Sequence, residues 1–399
     1  MTWPQSPPPF ALTALSGCYF ILAVASLSVV GLLDPMAEGL QVSKSRIAYL
    51  VTAFALTYAV MAPVLQILVG DWDRRRLLLL GLGAIGLGSL IMALAPGYGL
   101  AAAGRVVMAV GAAVAGPMAS AEGAALVPPE RRGAALGKVF AGMTLATVLG
   151  VPLTAFAGTV IGWRATLIVI AGVAGLVALA VATKVPAGGR GQKSDAKAVI
   201  ETLVNPVLAP AIGVTLFQMA AQFVTYAVIA AFLADRFAIG ETLLPLALFT
   251  FGIGGILGNL LATRLSDRLG PAKLIQISLA VTMGVFICLQ LAPSNKAVAF
   301  ILMGAWSIFG MMLFAPQQAR LISLAPERTN LLLALNGSAI YLGMAGGAAL
   351  SGMLYAKTGS DGLAWVSCVL VVMAMVAMAA SEHAQKKTGA RQGQAEEHQ

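Results

Sequence analysis

Twelve runs of predominantly apolar residues, most of them twenty or longer, constrain this chain more than any other feature of it. They lie at approximately 13–33, 47–69, 77–95, 99–125, 134–158, 163–183, 207–233, 242–263, 273–292, 297–319, 331–355 and 361–381. A helix rising about 1.5 Å per residue crosses the hydrocarbon of a bilayer in about 20 residues, so each run reads as a membrane-spanning helix. Composition agrees: 10% of residues are charged, against roughly 25% in a soluble globular protein. There is too little polar material to cover a soluble fold, and too much apolar material for disorder. No Lys or Arg precedes the first run and no small-residue cleavage site follows it, so it is expected to remain as a span and not to be removed as a signal peptide.

The net charge of +9 would suggest a nucleic-acid partner only if the bases gathered on one water-facing patch. They come instead in small clusters between spans, which implies a lipid bilayer as partner and no nucleic acid. Eighteen of the 25 Lys and Arg fall in the even-numbered connections and the C-terminal tail, and six in the odd-numbered connections. Cytoplasmic loops retain positive charge, so both termini are expected in the cytoplasm. Arg105 alone is left inside a span.

Several chemistries are disfavoured. Cys18, Cys288 and Cys368 lie in separate apolar runs, and His383 and His398 lie in the polar tail. Neither a disulfide framework nor a metal site is expected. Gly252, Gly254, Gly255 and Gly258 carry nucleotide-loop-like spacing, but they sit in mid-span, where glycines serve close helix packing. Gly81, Gly83, Gly86 and Gly88 read the same way. No Walker-type motif occurs, and no cofactor is expected.

The connection from Pro186 to Pro206 is the only one with linker character, and it contains a short stretch, Ala196 to Val204, suited to an interfacial helix. The expected organisation is a six-span bundle at 1–185, a cytoplasmic linker at 186–206, a second six-span bundle at 207–382 and a polar tail at 383–399. An internal repeat supports the division. Gln66 to Arg76 after the second span and Thr263 to Lys273 after the eighth each join an acid, a tight turn and two or three bases. Such repeats point to transporters built from two related bundles.

The second copy, with Asp267, Arg268, Gly270, Pro271 and Lys273, resembles the cytoplasmic loop signature of the major facilitator superfamily, departing at Thr263 where glycine is usual. In the first copy Gln66, Gly70, Asp71 and Asp73 replace signature residues, and Asp71 stands one place from the expected acid. Arg105 to Gly111 is similar to the fourth-span signature of proton-driven members, with Met108 and Ala109 replacing Gln and Gly. Pro128 to Gly133, leading to Gly142, Gly150 and Pro152, resembles the loop and fifth span of the antiporter branch. Gly162 to Ala165 and Asn336 to Gly343 are similar to its drug and arabinose efflux proteins. The resemblance implies an all-α integral membrane protein of the inner membrane, with twelve helices in two pseudo-symmetric six-helix bundles, working as a monomer.

Candidate site residues follow from both readings. A cation within a span costs on the order of 2.5 to 3.5 kcal/mol to insert and seeks water or a partner, which singles out Arg105. Glu122, near the cytoplasmic end of the same span, is either a proton carrier or a partner of Arg131 or Arg132. Thr215, Gln218, Gln222, Thr225 and Tyr226 recur at helical spacing in the seventh span, and Trp306, Gly310, Phe314 and Gln317 in the tenth. The stripes read as cavity lining or as ordinary interhelical bonding. In the resembled family the first, fourth, seventh and tenth spans line the central cavity, which adds Tyr19, Ser26, Arg105 and Met108. The gate is expected at Asp71, Arg75, Asp267, Arg268 and Gly270, and proton coupling at Arg105, Glu122 or Asp34. By resemblance the substrate is a small amphipathic or sugar-like molecule exported in exchange for protons. Import or facilitated passage stays open, because the first span holds no acid in its interior. A membrane-embedded enzyme or a channel is a further alternative, and the spans hold no convergent nucleophiles or metal ligands.

Overall fold

The computed structural model describes residues 10–191, 195–240 and 243–396, and among them it is helical with no strand. In chain order the helices are α1 (Ala11–Gly31), α2 (Leu33–Leu40), α3 (Lys44–Val69), α4 (Arg74–Ala93), α5 (Tyr98–Ala125), α6 (Arg132–Val160), α7 (Gly162–Lys184) and α8 (Ala196–Val204). They continue with α9 (Leu208–Tyr226), α10 (Ile229–Phe237), α11 (Leu244–Leu269), α12 (Pro271–Leu291), α13 (Lys296–Met312), α14 (Phe314–Leu324), α15 (Thr329–Thr358) and α16 (Leu363–Glu396). Together they supply twelve stretches long and apolar enough to cross a membrane, as expected. The last helix runs on through the polar tail as far as Glu396.

Three spans are broken, two of them for a legible reason. Proline has no N–H to offer four residues back. Pro35 therefore leaves the carbonyl of Gly31 without its helical donor, and α1 ends there, α2 restarting after Leu32. Pro316 does the same to Met312, where α13 gives way to α14. The seventh span breaks at Ala227 and Val228 without a proline. The short helices after the first and seventh spans both end on a left-handed residue, Gln41 at φ 54° and Ala238 at φ 52°. The repeat thus extends to backbone conformation.

Two large apolar cores hold the fold. One gathers α1 to α7 and takes in Met219, Phe314, Ile340 and Tyr341 from later helices. The other gathers α9 to α13 with α16 around Trp306, Phe286 and Phe232. Lipid is as apolar as leucine, so association relies on close packing of small residues. At the crossing of α4 and α5 a Cβ added at Gly88 would stand 2.5 Å from the Gly104 carbonyl oxygen. The mid-span glycines of α11 pack likewise: a Cβ at Gly258 would meet the Ile308 carbonyl oxygen at 2.0 Å.

The connections sort to two ends. Arg46 over the Tyr98 ring, Arg164 donating to Ala95 O and Tyr355 donating to Asp235 tie the odd-numbered connections together in pairs. Asp73 with Gly188, Arg74 with Glu122 and Asn330 with Gly70 gather the arginine-rich connections at the other. The latter is called the basic end below.

Candidate functional site

Arg105 is fully buried in α5. Its Nε donates to the Leu50 carbonyl of α3 at 3.0 Å, and its two terminal nitrogens donate to the carbonyls of Ala25 and Ser26 in α1. The guanidinium lies 4.4 Å from the centre of the Phe54 ring. No carboxylate pairs with it among the described residues; backbone dipoles carry its charge. The guanidinium therefore ties three spans together, in the half of α1 nearer that helix's carbonyl end, where the helix dipole favours a cation. Tyr341 of α15 lies beside Ser26 and Arg105 and packs on Tyr58 and Phe54, with ring centres 4.2 and 5.8 Å apart. Ser338, one turn earlier, donates to Ala59 O at 2.7 Å. This is one seam between the early and late helices.

A second seam lies across the molecule. Tyr19 of α1 shares a 2.8 Å hydrogen bond with Ser120 of α5 and packs on Phe140 of α6, 4.4 Å between ring centres. Phe140 stacks in turn on Phe314 at 6.3 Å. Met108 does not join this group. It lies 60° around α5 from Arg105, and its Cγ closes onto Gly88, inside the packing of α4 against α5. The cavity role given to it from sequence is corrected to helix packing.

The polar stripe of α9 divides into two kinds of residue. Thr215 donates to Asn336 Oδ1 at 2.6 Å, and Thr225 shares a bond with Ser367, so these two make ordinary interhelical bonds. Gln218 and Gln222 do not. Both are buried, both amide atoms of Gln218 and the Nε2 of Gln222 have no hydrogen-bond partner, and Gln222 lies across Gly310 of α13. Trp306, one turn before Gly310, is fully buried with its indole N–H likewise unpartnered. Tyr226, Phe251 and Phe286 surround it with ring centres at 6.1, 5.3 and 5.1 Å. Gln317 donates to Ala211 O at 2.6 Å, leaving its Oε1 free. A buried polar group without a partner is costly, and a cluster of them marks a place shaped for something else.

At the basic end Glu122 is the only buried carboxylate among the described residues. Its partner is Arg74, at 3.6 Å, and neither Arg131 nor Arg132. Gly189 of the linker lies over it: a Cβ there would come within 2.9 Å of Glu122 Oε2. Asp71 is exposed, and the acid that works in this loop is Asp73. Asp73 caps α4 by accepting from Arg76 N at 2.9 Å and holds the linker by accepting from Gly188 N at 2.6 Å. Arg74 N in return donates to Gly189 O at 2.8 Å. Partial burial pulls the Asp73 carboxyl upward, but these N–H donors and the charges of Arg76 and Arg75 hold it below the usual aspartate value. Arg75 donates to Ala182 O at the end of α7.

In the second copy Arg268 is exposed, and Gly270, at φ 76° ahead of Pro271, makes the turn that a residue with a side chain would adopt only under strain. The side chains of Asp267 and Asp34 lie outside the described residues. What closes the basic end is a different set. Asn259 donates to Gly137 O at 2.9 Å, Asn330 to Gly70 O at 3.5 Å, and an apolar cluster joins Ala121, Ala124 and Leu136 to Ala315, Ala319, Ile322 and Leu333. One signal for this region is only half used at the level of sequence: Pro128 to Gly133 is singled out, but its repeat is not, and the two Pro-Glu-Arg turns, Pro129–Arg131 and Pro326–Arg328, precede α6 and α15 as short 3-10 helices.

The family model for the Major Facilitator Superfamily matches residues 15–214 and again 211–398. The inner membrane transport protein YdhP of Escherichia coli is 28% identical over 92% of this chain and 93% of its own. A chloramphenicol efflux pump of Mycobacterium tuberculosis is 28% identical over 93% of this chain and 92% of its own. Among solved structures, the transporter FucP in its outward conformation superposes with a TM-score of 0.72 at 16% identity, covering 94% of this chain and 98% of that one. Twelve spans, two matched halves and the paired seams have one common account: the chain is an integral membrane transporter that belongs to the major facilitator superfamily.

Proposed function

We propose that this transporter exports a small amphipathic molecule in exchange for protons. It acts as a monomer in the inner membrane, with both termini in the cytoplasm, by rocking of two bundles, 1–185 and 207–382, about a central site. The observation that carries the reading is the buried group of unpartnered polar atoms on Gln218, Gln222 and Trp306, set above a closed basic end. That arrangement suits a site shut off from the arginine-rich side, ready to reopen on it as the bundles rock. The named activity of the mycobacterial relative supports export of a compound of drug size. Proton exchange is assigned to Glu122, the one buried carboxylate among the described residues, where a proton and Arg74 alternate as its partner. Facilitated passage is the second reading, favoured by Arg105, which is bound to carbonyls and, among the described residues, has no acid to relay from.

The test is proteoliposomes assayed for chloramphenicol accumulation with and without an imposed pH gradient. Uphill movement is expected in the parent. Glu122→Gln is expected to lose it while still exchanging substrate downhill. Accumulation by Glu122→Gln at the parental rate would move the coupling elsewhere, and exchange indifferent to the gradient in the parent would establish the facilitator.

A further inference from the structure

We infer that the central site takes an uncharged molecule bearing both a hydrogen-bond donor and an acceptor on a flat apolar body, and that Gln218 and Gln222 select it. The inference rests on the transport reading above and narrows its substrate. It comes from what the unpartnered groups are. Gln218 offers a free amide N–H and a free carbonyl, Gln222 a free amide N–H, and Trp306 a free indole N–H, all on side chains at most 3% exposed. Every one of them is neutral, and donors and acceptor are mixed.

Among the described residues, the buried charges that an ionic ligand would need stand elsewhere or are already paired. The buried charged side chains among the described residues are Arg105, Glu122 and Arg320. Arg105 is held by the carbonyls of Ala25, Ser26 and Leu50, and Glu122 by Arg74. Arg320 donates to Ser381 Oγ at 2.8 Å and keeps Nη1 unpartnered, but Ser381 in turn donates to Val207 O, which sets Arg320 at the start of α9, about three turns before Gln218. An anion or cation entering among Gln218, Gln222 and Trp306 would be stripped of water and, among the described residues, meet no buried counter-charge there, which a low-dielectric interior penalises heavily. Nor is Trp306 a cage for an organic cation. Its ring is already hemmed in by Tyr226, Phe251 and Phe286, in edge-on contacts that leave its N–H as the free feature. The same aromatic walls favour a planar apolar body over a polyol, whose many hydroxyls would outnumber the few polar atoms on offer.

Three forms of one scaffold test this: chloramphenicol, which is neutral, its succinate ester, which is anionic, and the amine that remains when its acyl group is removed, which is cationic near neutral pH. Binding of each to the full chain in lipid nanodiscs is measured by scintillation proximity. Chloramphenicol is expected to bind at least about ten-fold more tightly than either ion, and Gln222→Leu or Gln218→Leu to weaken it about ten-fold, the equivalent of one good hydrogen bond. Gln222→Glu, which keeps the size of the side chain, is expected to reverse the preference toward the amine. Equal or tighter binding of either ion, or neutral binding untouched by both leucine variants, overturns the inference and leaves the transport reading standing. Failure of all three forms to bind, with the parent unfolding at its normal temperature, overturns the assignment of the site itself.

Discussion

Replacing Arg105 by alanine should cost this protein about 1 to 6.5 kcal/mol of stability. The side chain makes three charge-assisted bonds, to Ala25 O and Ser26 O of α1 and to Leu50 O of α3. Bonds to a charged group are worth about 1.5 to 3 kcal/mol each, or roughly 4.5 to 9 for the three. Alanine recovers the cost of placing a cation in an apolar span, about 2.5 to 3.5 kcal/mol. The difference is the predicted loss. Arg105→Lys should lie between parent and alanine, because an ammonium is a point charge that cannot span three carbonyls on two helices as a planar fork does. The assay is unfolding of the purified protein in mild detergent, by SDS titration or by thermal scan, with tryptophan fluorescence as readout. An Arg105→Ala protein within about 0.5 kcal/mol of the parent, the range of an indifferent surface change, would refute the view that this guanidinium holds the spans together.

Three other outcomes are expected. Gly142→Ala should destabilise by about 1 to 3 kcal/mol or prevent folding, because the new Cβ would stand 1.8 Å from the Ser16 carbonyl oxygen; Gly172→Ala, which meets nothing within 4 Å, should unfold at the parental temperature. Asp73 sits below the ordinary aspartate value, so its hold on the linker is fully present above about pH 4 and lost only as the pH falls through its own lower value. Limited proteolysis of the 186–206 linker should therefore be equally slow at about pH 8 and pH 5 in the parent, and faster at both in Asp73→Asn. Asn259→Ala removes the 2.9 Å bond to Gly137 O and should loosen the basic end; a cysteine at Thr263 should then label faster with a soluble thiol reagent.

How far the chain declared this structure depends on whether a feature answers to its own segment or to a distant one. A span answers to lipid, so the apolar runs alone placed all twelve, and Pro35 and Pro316 mark breaks through a missing donor four residues back. Arg105 was conspicuous because a charge in a span needs company, but that the company is backbone carbonyl depends on how α1 and α3 lean on α5. The stripe on α9 was visible at helical spacing. Its division into bonded threonines and unpartnered glutamines was not, because Asn336 and Ser367, which satisfy Thr215 and Thr225, come from helices more than a hundred residues away. Met108 misled for the same reason: it stands close to Arg105 around the helix, yet Gly88 of the neighbouring span claims it. The exchange of Asp71 for Asp73 is the sharpest case. Both acids sit in the same four-residue turn between α3 and α4 with the same neighbouring arginines, and what separates them is the N–H of Gly188, 115 residues further on, which reaches only one. Near-symmetric sequence thus carries asymmetric contacts. In the first copy the acid grips the linker, and the bond that crosses to α15 runs from Asn330 to the bare carbonyl of Gly70, the residue standing where the signature has its acid.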